Sequence, residues 1–161
     1  MDRQSPDAIR RLADLARLQQ TGRIELQSGD EPGRLVEDSA GKVHIALRRG
    51  GALLTIDPRA GAGQIIARRP ACAAPRGLAY DAASDRVHLA CAGGELVTFA
   101  AAGGAALRTL QLEGDLRDVI VQGSQLLVSR FRSAELLTLD ASGKIVGRVK
   151  PTARATMLTP P

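Results

Sequence analysis

The chain has no tryptophan, one tyrosine and two phenylalanines among 161 residues, so a core must be filled by Leu, Ile, Val and Ala. It has no asparagine, two cysteines and two histidines. Two imidazoles with no acidic residue at a fixed offset do not make a metal centre, and no metal or cofactor is expected. No apolar run approaches the roughly 18 residues that a spanning helix needs. The opening MDRQSPDAIRRLADLARLQQ mixes charge with apolar residues where a signal peptide carries an apolar stretch. A nucleophile elbow, an H-E-x-x-H helix and an EF-hand loop are all missing, and AGKV and SGKI lack the lead and the hydroxyl of a phosphate loop. No catalytic residue is singled out. Basic segments interleaved with aromatics are missing too, which argues against a nucleic-acid surface.

What is present is arginine. The formal charge is +5, and 19 of the 22 basic residues are Arg. Such a balance suits a polyanionic partner, although abundant Ala and Gly without Asn also fit a biased base composition. The apolar fraction of 44% and charged fraction of 24% belong to a globular chain.

The chain also repeats itself. ALLTID (52–57), ELVTFA (95–100) and ELLTLD (135–140) align, which makes Thr55, Thr98 and Thr138 equivalent. Before each lies a second apolar stretch, VHIAL, VHLAC or LLVSR, across a short turn. RLVED, GLAYD and DVIVQ precede these hairpins, and QIIAR, LRTLQL and KIVGRV follow them. Each unit is therefore four short strands rich in Val, Ile, Leu and Thr, punctuated by Asp and Gly turns such as DPRAGAG and DASGK. Four strands per period of about 40 to 44 residues mark a β-propeller blade, which needs neighbouring blades to bury its two faces. The expected fold is all-β: a partial β-propeller of three four-stranded antiparallel blades, at about 34–70, 76–113 and 117–150.

Pro75, Arg76, Gly77, Leu78 and Asp81, followed by RVHLA and ELVTF, resemble the blade pattern of the NHL-like, YVTN-like and lactonase-type propellers. RPACAAPRGLAYD with VHLACAGGELVTF and LRDVIVQGSQLLVSRFRSAELLTLD is similar to the propeller region of bacterial surface or periplasmic proteins that also carry c-type cytochrome modules. The resemblance covers residues 23 to about 150. It implies an extracytoplasmic setting and a binding or scaffolding role inside a larger protein. No C-x-x-C-H occurs, so no haem attachment carries over. A lactonase-like metal site would need an Asn that this chain lacks.

Three blades do not close a ring, since closed propellers use about four or more. GRIEL (22–26) is expected as the orphan outer strand of a preceding blade, so the propeller segment spans 22–150. The favoured reading is a piece of a longer chain, with the other blades completing the ring; self-association is the other. Residues 1–21 are expected to hold a short helix over 5–22, with a Ser cap, an early Pro and a Gly stop. Residues 151–161 are expected to be a tail or linker.

Three sets of residues stand out. His44 and His88 share one place in successive units, where the third unit has Leu127, and are expected to pack between blades with a nitrogen hydrogen-bonded. Cys72 lies just before a first strand and Cys91 ends a second strand, so both fall at one rim, where a disulfide is sterically reasonable; separate thiols remain the alternative without export. Arg34, Arg76 and Arg117 stand near the starts of innermost strands, and Arg48, Arg49, Arg130 and Arg132 lie in the second-to-third strand hairpins, which open on the same face. Seven guanidinium groups there would form a rim for carboxylates or phosphates, unless they pair with Asp30, Glu31, Asp38, Asp118 or Glu135. The expected function is a non-catalytic binding or scaffolding module whose basic rim takes an acidic protein, a glycan or a cofactor-bearing domain. The alternative is part of a lactonase- or hydrolase-type propeller enzyme whose catalytic residues lie outside this chain.

Overall fold

A computed structural model describes residues 8–14, 19–61 and 63–151. Twelve of its strands form three four-stranded antiparallel sheets, each in simple chain order. The first sheet is β3 (Pro32–Glu37), β4 (Val43–Leu47), β5 (Ala52–Asp57) and β6 (Gln64–Pro70). The second is β7 (Pro75–Asp81), β8 (Arg86–Cys91), β9 (Glu95–Ala100) and β10 (Ala106–Gln111). The third is β11 (Leu116–Gln122), β12 (Gln125–Arg130), β13 (Glu135–Leu139) and β14 (Ile145–Val149).

The three registers superimpose. His44 opposes Thr55, His88 opposes Thr98, and Leu127 opposes Thr138. Aspartates shape the turns. Asp38 Oδ1 accepts the amides of Ala40 and Lys42, each at 2.9 Å, and Asp140 Oδ1 accepts that of Lys144 at 3.0 Å. Such side-chain acceptors stand in for backbone partners that a tight turn cannot supply.

The sheets stack face to face, with β3, β7 and β11 side by side at the hub. Ala46 and Leu53 of the first sheet pack with Val87, Leu89, Val97 and Phe99 of the second. Ala90 and Leu96 of the second pack with Val119, Val128, Leu137 and Leu139 of the third. The core is aliphatic as its composition demands, with Phe99 its one buried phenyl ring and Phe131 69% exposed. Gly77 lets β7 and β11 approach, because a Cβ there would overlap the backbone of Asp118.

The segment expected to be helical differs. Ala8–Asp14 is a strand, β1, paired antiparallel with β2 (Gln19–Glu25), and no helix occurs among the described residues. Residues 5–7 and 15–18 of the expected helix, and 152–161 of the expected tail, lie outside the described residues. The Ala, Leu and Arg of this stretch favour a helix by only tenths of a kcal/mol per residue, and pairing with β2 outweighs that. The strand expected at 22–26 is present as β2, apart from the three sheets, and its Ile24 and Leu26 pack on Ile45, Leu47 and Leu54 of the first sheet.

Candidate functional site

At the end of the hub where the first strands begin, Arg34, Arg48, Arg76 and Arg117 surround a cleft of about 290 Å³, together with Gly33 and Asp118. All three sheets contribute to it: Arg34 and Arg48 from the first, Arg76 from the second, Arg117 and Asp118 from the third. Arg34 Nη2 bonds Asp118 Oδ2 at 2.6 Å, tying the first sheet to the third across the second. Among the described residues Arg48 and Arg76 form no ion pair, and Arg117 lies over the Phe131 ring at 5.4 Å. Four guanidinium groups thus face one carboxylate. Each fork presents paired N–H donors that match a carboxylate or phosphate, and clustering like charge makes an incoming anion favourable.

The other three arginines of the expected rim are held elsewhere. Arg49 pairs with Glu31 at 3.0 Å, and Arg132 with Asp115 at 4.0 Å. Arg130 is shared between Glu113 and Glu135 at 2.5 Å each, and Arg148 bonds the same two acids. Arg130 and Arg148 hold both carboxyls below the ordinary glutamate value. Arg49 and Arg132 pair at the surface and Arg130 in a part-buried network, and in each the charge is already answered. Arg68, not singled out by the sequence, grips the buried Asp30 carboxylate through two bonds of 2.7 and 2.6 Å.

The histidines belong to the interior. His44 is fully buried and His88 is 5% exposed. His44 Nε2 lies 3.0 Å from Asp38 Oδ2, and its Nδ1 lies 3.0 Å from Thr55 Oγ1. A carboxylate only accepts, so Nε2 carries the proton; Nδ1 then accepts from Thr55, whose oxygen accepts from Arg69 Nη2 at 3.2 Å. Arg69 also donates to the Ala100 carbonyl at 2.7 Å and lies over Phe99, which carries the chain of bonds from the first sheet into the second. Burial pushes His44 down against the opposing pull of Asp38. Burial alone would raise Asp38, but the Lys42 amide, His44 and the Ala40 amide together hold it below the ordinary carboxylate value. Burial lowers Arg69 as well. This network is a structural strut. Among the described residues no group of three or more His, Cys, Asp or Glu is placed to hold a metal ion.

Cys72 and Cys91 are joined in a disulfide with a Cα–Cα distance of 6.4 Å. Cys72 sits on the crossing from β6 to β7, and Cys91 ends β8. The bond therefore fastens the inter-sheet crossing to the sheet it enters.

No family model and no curated protein matches the chain. Solved structures do. The chain is similar to the hydrazine synthase of Kuenenia stuttgartiensis, 17% identical with a TM-score of 0.72 over 84% of this chain and 41% of that one. It is similar to Sqt1 of Saccharomyces cerevisiae, 15% identical with a TM-score of 0.70 over 81% and 39%. It is similar to virginiamycin B lyase of Staphylococcus aureus, 13% identical with a TM-score of 0.70 over 82% and 45%. All three are β-propeller proteins, so the three sheets are propeller blades and the chain spans less than half the length of each match.

Proposed function

We propose that this chain is a non-catalytic propeller module that docks an acidic partner on the hub mouth formed by Arg34, Arg48, Arg76 and Arg117. The carrying observation is the sorting of the arginines: four from three blades line one cleft with a single carboxylate, while Arg49, Arg130 and Arg132 are paired with acids elsewhere. Compositional bias scatters arginine and does not gather it. Propellers serve enzymes and non-enzymes alike, so the reading rests on the site rather than on the fold. The partner is an acidic protein segment, because a cleft of about 290 Å³ at the hub admits one or two carboxylate side chains, and bidentate pairs fix their orientation. The matched propellers are each covered to less than half of their length, and further blades are part of the proposed assembly.

The test is capture of a glutamate-rich peptide by the full chain at low and high salt. Arg76→Glu and Arg117→Glu are each expected to weaken binding about tenfold or more and to flatten its salt dependence. Arg132→Glu, outside the cleft, is expected to change it little. Equal affinity in all three variants would remove the proposal.

A further inference from the structure

A second cleft, of about 360 Å³, opens between the second and third blades at the opposite end of the sheets, among the turns that join first strands to second. Its wall includes His88, Arg86, Arg108, Asp81, Ser84 and Asp140. The volume is that of a small-ligand site.

His88 is the informative residue. Its Nδ1 lies 3.0 Å from Thr98 Oγ1, as His44 Nδ1 lies from Thr55. In the first blade the remaining nitrogen is met by the Asp38 carboxylate, delivered from the first-to-second strand turn. In the second blade the corresponding turn carries Asp81, whose oxygens accept from the Ala83 amide at 3.0 Å and the Ser84 hydroxyl at 2.5 Å. Among the described residues nothing bonds the second nitrogen of His88, although the side chain is more than nine-tenths buried and lines the cleft. That nitrogen is not sealed in the interior but opens onto the cleft, where a ligand or water can bond it.

The sister blade identifies what this nitrogen takes. The wall carries two cations, Arg86 and Arg108, and two carboxylates, Asp81 and Asp140, and it is the cations whose donors are left open. Arg86 and Arg108 have no carboxylate partner among the described residues, and Arg108 reaches only the Ala141 carbonyl, at 3.2 Å. The two acids in the wall are occupied by their own turns, Asp140 by Ser142 Oγ at 2.6 Å and the Lys144 amide at 3.0 Å, Asp81 as described.

We propose that this cleft is a binding site for a small carboxylic acid, whose carboxylate accepts from the His88 imidazole as Asp38 does from His44, with Arg108 and Arg86 supplying the countercharge. The occupant is a small molecule rather than an acidic segment of a protein, because the imidazole lies in a recess with 5% of its surface exposed. The site is separate from the hub mouth and does not depend on its role.

The chain has two histidines, so imidazole nitrogen–proton NMR on the full chain reads the site directly, with His44 as the internal control. Titration with succinate is expected to move the His88 nitrogens to saturation and leave His44 in place. Glucose should move neither, inorganic phosphate should act more weakly than succinate, and a glutamate-rich peptide should not reach the ring. His88→Leu copies the residue that the third blade carries at this register, and His44 signals report whether it folds. Arg108→Ala is expected to weaken succinate about tenfold with His88 still present. An unmoved His88 at the highest succinate concentration overturns the proposal. So does an equal response to glucose, a stronger one to phosphate or peptide, or an Arg108→Ala variant of unchanged affinity.

Discussion

His44 and His88 occupy one register position a repeat apart, and their surroundings make different demands on them. In the first blade Asp38, His44, Thr55 and Arg69 form an unbroken line of donors and acceptors. In the second, Leu110 stands where Arg69 stood, and in the third, Leu127 and Val149 leave only Thr138 of the set. Replacing His44 by Leu would strand the Asp38 carboxylate in the interior, so His44→Leu is expected to cost about 3 kcal/mol in denaturant unfolding. His88→Leu strands no charge and should cost about 1 kcal/mol or less. Burial, against a weaker opposing pull from Asp81, lowers His88 from 6.5 to about 4. Between those values the unfolded chain binds a proton that the folded one refuses, so stability falls as pH drops. The loss at this residue approaches about 3 kcal/mol near pH 4, and His88→Leu should flatten that limb of a stability–pH curve. A curve of unchanged slope in the variant would mean that another group sets it.

The crossings between blades show how a repeat is enforced by backbone geometry. Gly51 and Gly94 hold the same place in their hairpins, at φ of 63° and 108°. Their carbonyls accept the amides of Ala71 and Leu112 at 2.9 and 2.8 Å, the first residues of the two crossings. A Cβ would meet the Cys72 carbonyl at 3.0 Å in one case and the Leu112 carbonyl at 2.6 Å in the other. In the third blade Ala134 takes this position at a φ of 48°, and the matching crossing residue is Pro151, which has no N–H to give. Gly94→Ala is therefore expected to cost about 2 kcal/mol or more, while Ala134→Gly is expected to be neutral or stabilising by up to about 1 kcal/mol. Thermal unfolding of the two variants checks the contrast, and similar behaviour would contradict it. Reduction of the Cys72–Cys91 bond, which closes a loop of 19 residues, should cost about 3 kcal/mol.

This element scale is also where the sequence was most legible. Short runs of Val, Ile, Leu and Thr between Asp and Gly turns, repeated three times, mark all twelve strands of the blades, because each run is bounded by its own turns. The strand Ala8–Asp14 was not legible, because its Ile9, Leu12 and Ala13 also suit a helical face and only pairing with β2 decides between them. The convergence of Arg34, Arg48, Arg76 and Arg117 followed from counting strand starts and hairpins. What counting could not supply was the pairing of Arg49, Arg130 and Arg132, which depends on acids at 31, 113, 115 and 135 reaching across turns.

At the scale of the whole molecule, the two outer faces of the blade stack differ. The face of the first blade away from the second is covered by Ile24 and Leu26, leaving Ile45 and Leu54 1% exposed. On the third blade, Ile120, Leu127, Leu136, Thr138 and Val149 repeat the register of the face that the first and second blades each bury against a neighbour. Here Ile120 and Val149 are 58% and 59% exposed. An apolar sheet face with that register suits another blade, and it is expected to drive association of the purified chain. Ile120→Lys with Val149→Glu should lower the mass seen by light scattering without lowering the melting temperature by more than a few degrees. Unchanged mass would assign any association to another surface.

Charge gathered at the hub mouth for a partner would be felt by the four arginines together. Arginine side-chain NMR, recorded while a glutamate-rich peptide is added to the full chain, tests it most directly. The Nε signals of Arg34, Arg48, Arg76 and Arg117 are expected to shift together and saturate together, while those of Arg49, Arg130 and Arg132 stay in place. Shifts spread across the paired arginines, or none at the four, would contradict it.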